Sequence, residues 1–238
     1  MALDHALALD GRDGHGTLRL YSWSRPTVSF GRNEPARALY SERVAEEMGG
    51  EFTRRPTGGR AVLHDAEVTY TVVVPARALG GARDAYRRIN RALATALRSM
   101  GAAVDVVGAG VVLPLDSGPC FQSPAGGEVV ASGRKLVGSA QARVGGMLLQ
   151  HGSIILDGDQ SRLSALRERK EEHPAPATLA RLLGNDVEAE SVRAAVGTGM
   201  EQEFGGDWQS GAYDAHEIAG ADRLEAERYE RRDWVWRR

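Results

Sequence analysis

Between Gly118 and Gly152 the chain reads GPCFQSPAGGEVVASGRKLVGSAQARVGGMLLQHG, a stretch that holds its single cysteine, Cys120, and a nearby lysine, Lys135. A thiol is a nucleophile only as the thiolate, and a thiolate needs a cation or base beside it. Lys135 is the candidate nearest in sequence, with His64 and His151 as alternatives. The glycines of the stretch let a ligand approach the backbone. Together these are the ingredients of an acyl-transfer site. A lone cysteine is more often a small buried core residue. Here Gly118, Pro119, Pro124, Gly126 and Gly127 place it in a loop, where packing is a weaker reason for it.

A second stretch, RRPTGGR, sets Gly58 and Gly59 among three guanidinium groups, Arg54, Arg55 and Arg60, with Thr57 between. Such a turn can put backbone N–H groups and charge around a phosphate or a carbonyl oxygen. A solvated hairpin turn is the plain alternative, and on composition the two stand level. The motif is neither GxGxxG nor a Walker sequence, so it does not indicate a dinucleotide fold. His64-Asp65 and Gln150-His151 are further polar spots, read as strand ends. Six histidines without paired ligand spacing, beside one cysteine, argue against a zinc site. The terminal RYERRDWVWRR interleaves arginine with Trp234 and Trp236. Acids are mixed into it, so it reads as a last helix packing its tryptophans rather than as a nucleic-acid stacking surface.

These residues need elements to position them. EVVASG and RKLVGSAQARV form two strands joined at Ser132-Gly133, which puts Lys135 at the start of the second. MLLQHGSIILD follows as another strand. In EVTYTVVVP, Val68, Tyr70, Val72 and Val74 alternate with Glu67, Thr69 and Thr71, the period of a half-buried strand that Pro75 stops. TLRLYSW and PTVSFGRN are two earlier strands. Helices are expected at Ala2 to Leu9, at Pro35 to Met48, and at Arg83 to Met100, where Tyr86, Ile89, Leu93, Leu97 and Met100 share one face. AAVDVV and VVLPL are short apolar runs leading into the cysteine loop. Beyond Asp159, SRLSALRERKEE, ATLARLLG, VEAESVRAAVGTGMEQEF and YDAHEIAGADRLEAERYERRDWVW read as helices, with HPAPAT as a loop. Strands first and helices after give an α+β domain with a helical C-terminal section, taken as one domain over residues 1–238.

Composition narrows the classes. Hydrophobic content of 42% and charged content of 26% are those of a globular protein, not a disordered or fibrous one. Thirty basic and 32 acidic residues, net −2, offer no bulk electrostatic case for nucleic acid or an anionic membrane. One cysteine cannot make an internal disulfide, which suits a reducing cytoplasm. The acidic N-terminus MALDHALALDGRDG lacks the features of a signal peptide, and no stretch approaches transmembrane length. A cytoplasmic protein is expected.

RRPTGGRAVLHDAEVTYTVVVP and GRKLVGSAQARVGGMLLQHGSI carry a resemblance. They are similar to the RRxTGGRAVLHDxELTYS and GRKxxGSAQxRxxxxxLQHGS signatures of the biotin/lipoate protein ligase catalytic domain, most closely those of the cysteine-dependent octanoyltransferases of the LipM type. MALDHAL, RLYSWSRPTVSFGRN and RYERRDW fit further positions, so the resemblance spans almost the whole chain. It implies a mixed β-sheet flanked by helices, with no separate accessory domain. It also implies that Cys120, in CFQSP, takes octanoate from acyl carrier protein as a thioester. The acyl group then passes to a lysine of a lipoyl domain, on glycine cleavage H protein or a 2-oxoacid dehydrogenase E2. Lys135 would stabilise the thiolate and the developing oxyanion. Arg54, Arg55, Thr57, Gly58, Gly59, Arg60, His64, Gly138, Ser139, Ala140, His151 and Gly152 would border the acyl chain. No cofactor or metal is implied.

Two departures, Glu34 in place of glutamine and Gly126-Gly127 in place of an aromatic segment, bear on chain length and partner choice. The related alternatives are a lipoate ligase using ATP and Mg²⁺, which needs no cysteine, and an amidotransferase between lipoyl-domain proteins. Cys120, and EVTY where ligases carry an asparagine-containing run, favour the transferase. A non-catalytic lipoyl-domain binding module, or a Cys-His hydrolase using His151 or His64, leaves the two glycine motifs unexplained together.

Overall fold

The computed structural model describes residues 1–11, 14–47, 49–108, 126–167 and 175–237. Cys120 and its CFQSP segment, the VVLPL run, Met48 and the RERKEE part beyond residue 167 lie outside them. The fold is α+β, and its strands form two sheets. Six strands, β1 (Thr17–Tyr21), β5 (Glu67–Pro75), β9 (Met147–Ile155), β8 (Arg134–Val144), β7 (Val129–Ala131) and β6 (Asp105–Val106), lie side by side in that order. Their pairings are all antiparallel. A smaller sheet is mixed: β2 (Thr27–Phe30) runs parallel to β3 (Glu51–Arg54) and antiparallel to β4 (Val62–His64).

The β7–β8 hairpin turns at Ser132 and Gly133, with φ of 49° and 72°. Positive φ at both central residues is the backbone of a two-residue hairpin turn matched to strand twist, and glycine adopts it without strain. Lys135 accordingly begins the long strand β8, opposite Val130.

β5 is not half-buried. Val68, Tyr70 and Val72 pack into the main core with Ile89, Leu93 and Leu97 of α4 (Ala82–Ser99) and Val192, Val196 and Met200 of α7 (Ala189–Phe204). Gly199 lets α7 approach closely, because a Cβ there would stand 2.8 Å from the Ala92 carbonyl oxygen. The opposite face of β5, with Glu67, Thr69 and Thr71, is buried as well. Alternation therefore marks an apolar and a polar interior face rather than an inside and an outside.

The helix expected over Pro35 to Met48 is broken in two, α2 (Ala36–Leu39) and α3 (Glu42–Glu47). Tyr40 is extended (φ −130°, ψ 142°). It pairs with Arg167, buries its ring 5.2 Å from Phe30, and donates its hydroxyl to Glu34. Tertiary contacts override a locally helical sequence here. After β9 come α5 (Ser161–Leu166) and α6 (Leu179–Leu183), the latter capped by Thr178 and closed by Gly184 in the left-handed conformation. The C-terminal run divides into α8 (Ala215–Leu224), a π turn (Glu225–Tyr229) and α9 (Arg232–Val235). Trp236 packs edge-on to Phe30 in a second core beneath the small sheet. Among the described residues no helix is long and apolar enough to cross a membrane.

Candidate active site

The strands bring the two glycine motifs to one pocket. Gly138, Ser139 and Ala140 of β8 pair with Ser153, Gly152 and His151 of β9. These residues border a pocket together with Arg55, Gly59 and His64 from the RRPTGGRAVLH stretch. Gly152 is fixed by its neighbours: a Cβ would lie 2.2 Å from the Gly138 carbonyl oxygen and 2.7 Å from Tyr70 Cε1. The pocket wall also includes Met1, Ser29, Val62, Thr69 and Ser153, which sequence reasoning did not find.

Arg54, Thr57, Gly58 and Arg60 are not among the described residues of that wall. The loop is not a solvated turn, since Arg54, Arg55, Thr57 and Arg60 are all buried. Arg54 donates to the carbonyl oxygens of Glu34, Trp234 and Val235, at 2.8, 3.0 and 3.0 Å. It thereby joins the loop to the C-terminal segment. Arg55 folds the loop on itself, donating to Ser29 O, Gly58 O and Arg60 O at 2.8, 2.9 and 2.7 Å. Glu34 completes the brace: its carboxylate accepts from Gly31 N, Ala61 N and the Tyr40 hydroxyl, at 3.0, 3.0 and 2.8 Å. Gly31 must be glycine, because a Cβ would fall 1.8 Å from Gly59 O.

His64 is fixed by a hydroxyl and an acid, and His151 by a hydroxyl, with an acid just beyond hydrogen-bond distance. His64 closes β4, stacked on Trp23 at 4.3 Å. Its Nε2 is 2.7 Å from Ser29 Oγ, and its Nδ1 is 2.8 Å from Glu67 Oε1. A carboxylate only accepts, so Nδ1 carries a proton and donates to Glu67. Ser153 also donates to Glu67 Oε1, at 2.8 Å. His151 lies within β9, not at a strand end, with Nε2 2.6 Å from Thr57 Oγ1 and Nδ1 3.6 Å from Asp4 Oδ2. Thr57 thus touches the pocket wall through His151. Burial lowers the His151 pKa against the raising effect of Asp4. For Asp4, burial alone would raise the carboxyl pKa, but the Met1 ammonium, His151 and Arg19 hold it below the usual carboxylate range.

A second polar chain runs behind the pocket on the α4 side. Gln141 Nε2 donates to Gln150 Oε1 (3.2 Å), and Gln150 Nε2 to the Tyr70 hydroxyl (3.1 Å). Tyr70 Oη lies 2.6 Å from Ser139 Oγ, which donates to Asn90 Oδ1 (2.8 Å). The directions agree along the chain, so Tyr70 donates to Ser139. Burial pushes the Tyr70 pKa up to about 12, so it stays a phenol. This network accounts for Ser139 and Gln141 of GSAQ and Gln150 of LQHG.

Lys135 is 2% exposed, and its Nζ donates to Glu128 Oε1 at 2.6 Å. Glu128, itself buried, was missed by sequence reasoning. The available signal was an acid just before the first strand of the hairpin that carries the lysine. Among the described residues Asp10, Asp214 and Glu217 have cation-ligand spacing, but Asp214 and Glu217 already form the capping box of α8.

Acid should destabilise the fold through its histidines. Burial first, then Arg228 and Arg32, push the His5 pKa down to about 4. Below its unfolded value of about 6.5 the unfolded chain binds a proton that the folded chain does not, so stability falls as pH falls toward 4. The slope contributed by His5 stays below the limit of about 1.4 kcal/mol per pH unit, because solvent partly screens it, and His151 adds in the same direction. Urea midpoints at pH 7 and pH 5 should show this loss, and His5→Gln should flatten it. An unchanged slope would refute the assignment.

The RRPTGGR loop and the β8–β9 motif meet at one pocket, and a buried lysine lies on β8. Residues 1–201 match the lipoyl protein ligase A/B catalytic domain, and the chain belongs to that family. It is 39% identical to octanoyltransferase LipM of Kyrpidia tusciae, across 100% of this chain and 94% of that protein. It is 36% identical to octanoyltransferase LipM of Moorella thermoacetica, across 100% and 93%. Among solved structures, a bipartite lipoate protein ligase with its E2 lipoyl domain from Thermoplasma acidophilum superposes with a TM-score of 0.81. That match has 22% identity and covers 99% of this chain and 89% of that one.

Proposed function

We propose that this chain is an octanoyltransferase that moves octanoyl from acyl carrier protein to a lysine of a lipoyl domain through an acyl-Cys120 thioester. Acyl transfer as the reaction class, and octanoyl as the group, follow from the full-length relatives. The observation that carries the reading is the pocket shared by the two glycine motifs, lined in part by β8, the strand whose second residue is Lys135. At about 3.3 Å per residue, Lys135 lies about 10 Å along β8 from Gly138, the length scale of an eight-carbon chain.

In the first step the Cys120 thiolate attacks the thioester carbonyl carbon. The new C–S bond forms as the bond to the carrier's sulfur breaks, and that sulfur leaves as a thiolate that takes up a proton. In the second, a neutral acceptor lysine attacks acyl-Cys120, the C–N bond replaces C–S, and the amine's proton passes to the departing sulfur. The Lys135 charge stabilises both oxyanions. Thioester exchange is nearly isoenergetic and amide formation is downhill, so the scheme needs neither ATP nor metal. The Thermoplasma ligase, described together with its E2 lipoyl domain, supports a lipoyl-domain acceptor. Acyl carrier protein as donor, glycine cleavage H protein as an acceptor and a cytoplasmic location complete the proposal.

Intact-protein mass after incubation with octanoyl-acyl carrier protein and no ATP tests it. One octanoyl group that hydroxylamine removes is expected on wild type, and none on Cys120→Ser. Acylation of a lipoyl domain only from free acid and ATP would make the chain a ligase.

A further inference from the structure

An enzyme that hands an acyl group to a lysine amine faces a hazard if it keeps a lysine of its own beside the reacting thioester. Only two of the 30 basic side chains are lysines, Lys135 and Lys170. Arginine stays protonated and does not compete as an acceptor. Besides the Met1 α-amino group at the pocket wall, the amine to account for is Lys135, on the strand that supplies Gly138 to Ala140, and its surroundings are built. Its Nζ donates to Glu128 Oε1 at 2.6 Å, with Lys135 and Glu128 2% and 3% exposed. Both backbones are anchored: Val107 N donates to Glu128 O at 2.9 Å, and Ala177 N to Lys135 O at 3.0 Å. The hairpin register shifts between Val129 and Val130, just where strand β7 leaves Glu128.

An amine attacks a carbonyl only through its lone pair, and so only when neutral. Burial alone favours the neutral amine, whereas a carboxylate at hydrogen-bond distance favours the ammonium. We propose that Glu128 is a positioning residue that holds Lys135 as the ammonium, so that Lys135 lends its charge to the thioester carbonyl and cannot itself become the acyl acceptor. The inference rests on the acyl-transfer reading above. Without the Glu128 charge, neutral Nζ attacks the thioester carbonyl carbon. The C–N bond forms, C–S breaks, and the sulfur leaves and takes the amine's proton. The product is an Nζ-octanoyl-Lys135 amide that water does not clear.

The test uses the full chain as wild type, Glu128→Gln and Glu128→Asp, each with and without Cys120→Ser. Two donors are supplied: octanoyl-acyl carrier protein, and S-octanoyl-N-acetylcysteamine, a small thioester that acylates amines without help from Cys120. Peptide mass mapping after hydroxylamine reads Lys135 directly. Glu128→Gln should carry at least tenfold more hydroxylamine-resistant octanoyl on Lys135 than wild type and lose transfer as it accumulates. Glu128→Asp, which restores the charge at shorter reach, should restore protection in part. If Glu128→Gln does not fold, Glu128→Asp carries the test, with labelling above wild type expected and none overturning the inference. Folded Glu128→Gln with Lys135 unmodified by either donor overturns it, even where wild type forms the labile adduct. No labile adduct on wild type, with Lys135 of Glu128→Gln labelled by the small thioester, removes the acyl-cysteine reading and keeps the role of Glu128.

Discussion

Lys135→Met is expected to lower octanoyl transfer by at least about 100-fold, the usual loss when a preorganised oxyanion donor is removed. It should also unfold about 10 °C below wild type. The two losses have different causes. Glu128 is buried, and removing the ammonium 2.6 Å away leaves its carboxylate in the interior without that cation. Breaking a buried pair from one side typically costs about 3–5 kcal/mol, and each kcal/mol lowers the melting temperature by about 2–4 °C in a chain of this size. Replacing both partners with apolar residues removes both charges of this ion pair. Lys135→Met/Glu128→Leu should therefore regain most of the melting temperature and none of the activity. Thermal melts and initial rates on the four proteins of this cycle check it. A double variant as unstable as the single one would show that the Glu128 charge is not the source of the loss.

Much of the site was legible because its chemistry is written in short-range patterns. The Ser132-Gly133 turn fixes the hairpin and with it Lys135, and the period of EVTYTVVVP fixes β5. The two motifs meet because antiparallel pairing sets Gly138 to Ala140 against His151 to Ser153, an outcome of register that composition does not state. What was not legible depends on contacts between distant segments. Glu67 looked like the solvent side of a strand, yet it accepts from His64 and Ser153 in the interior. Asp4 stood in the ordinary first turn of the N-terminal helix (Ala2–Leu9), yet it faces His151. Tyr40 belonged to a strong helical run until its hydroxyl was needed at Glu34. Glu34, first read as a departure bearing on the acyl chain, braces two loops. A glycine's reason was equally hidden: Gly152 borders the pocket, but Tyr70 and the Gly138 carbonyl already exclude any side chain there.

Arg54→Met is expected to lose about 4 kcal/mol of stability with little change in KM at temperatures where the variant is folded. Sequence patterning put Arg54 beside Arg55 in one candidate anion loop, but their surroundings differ. The Arg54 guanidinium is fully buried and donates to carbonyls of the Gly31 to Glu34 turn and of the segment from Trp234 onward, while Trp234 Nε1 returns a bond to Arg54 O at 3.1 Å. Methionine fills similar space and donates nothing, so several buried carbonyls each lose a hydrogen bond at about 1 kcal/mol, although those of Gly31 and Glu34 keep the backbone donors Glu34 N and Ala36 N. Arg54→Lys keeps the charge but not the planar fork, and a single ammonium cannot reach carbonyls on two segments, so it should recover less than half of the loss. Arg55, whose side chain closes the loop and borders the pocket, should instead affect KM when replaced. The two arginines are thus separable by measurement. Melting temperature should report Arg54, and substrate dependence Arg55. A variant at Arg54 that melts like wild type but turns over substrate far more slowly would reverse the assignment and return Arg54 to the acyl site.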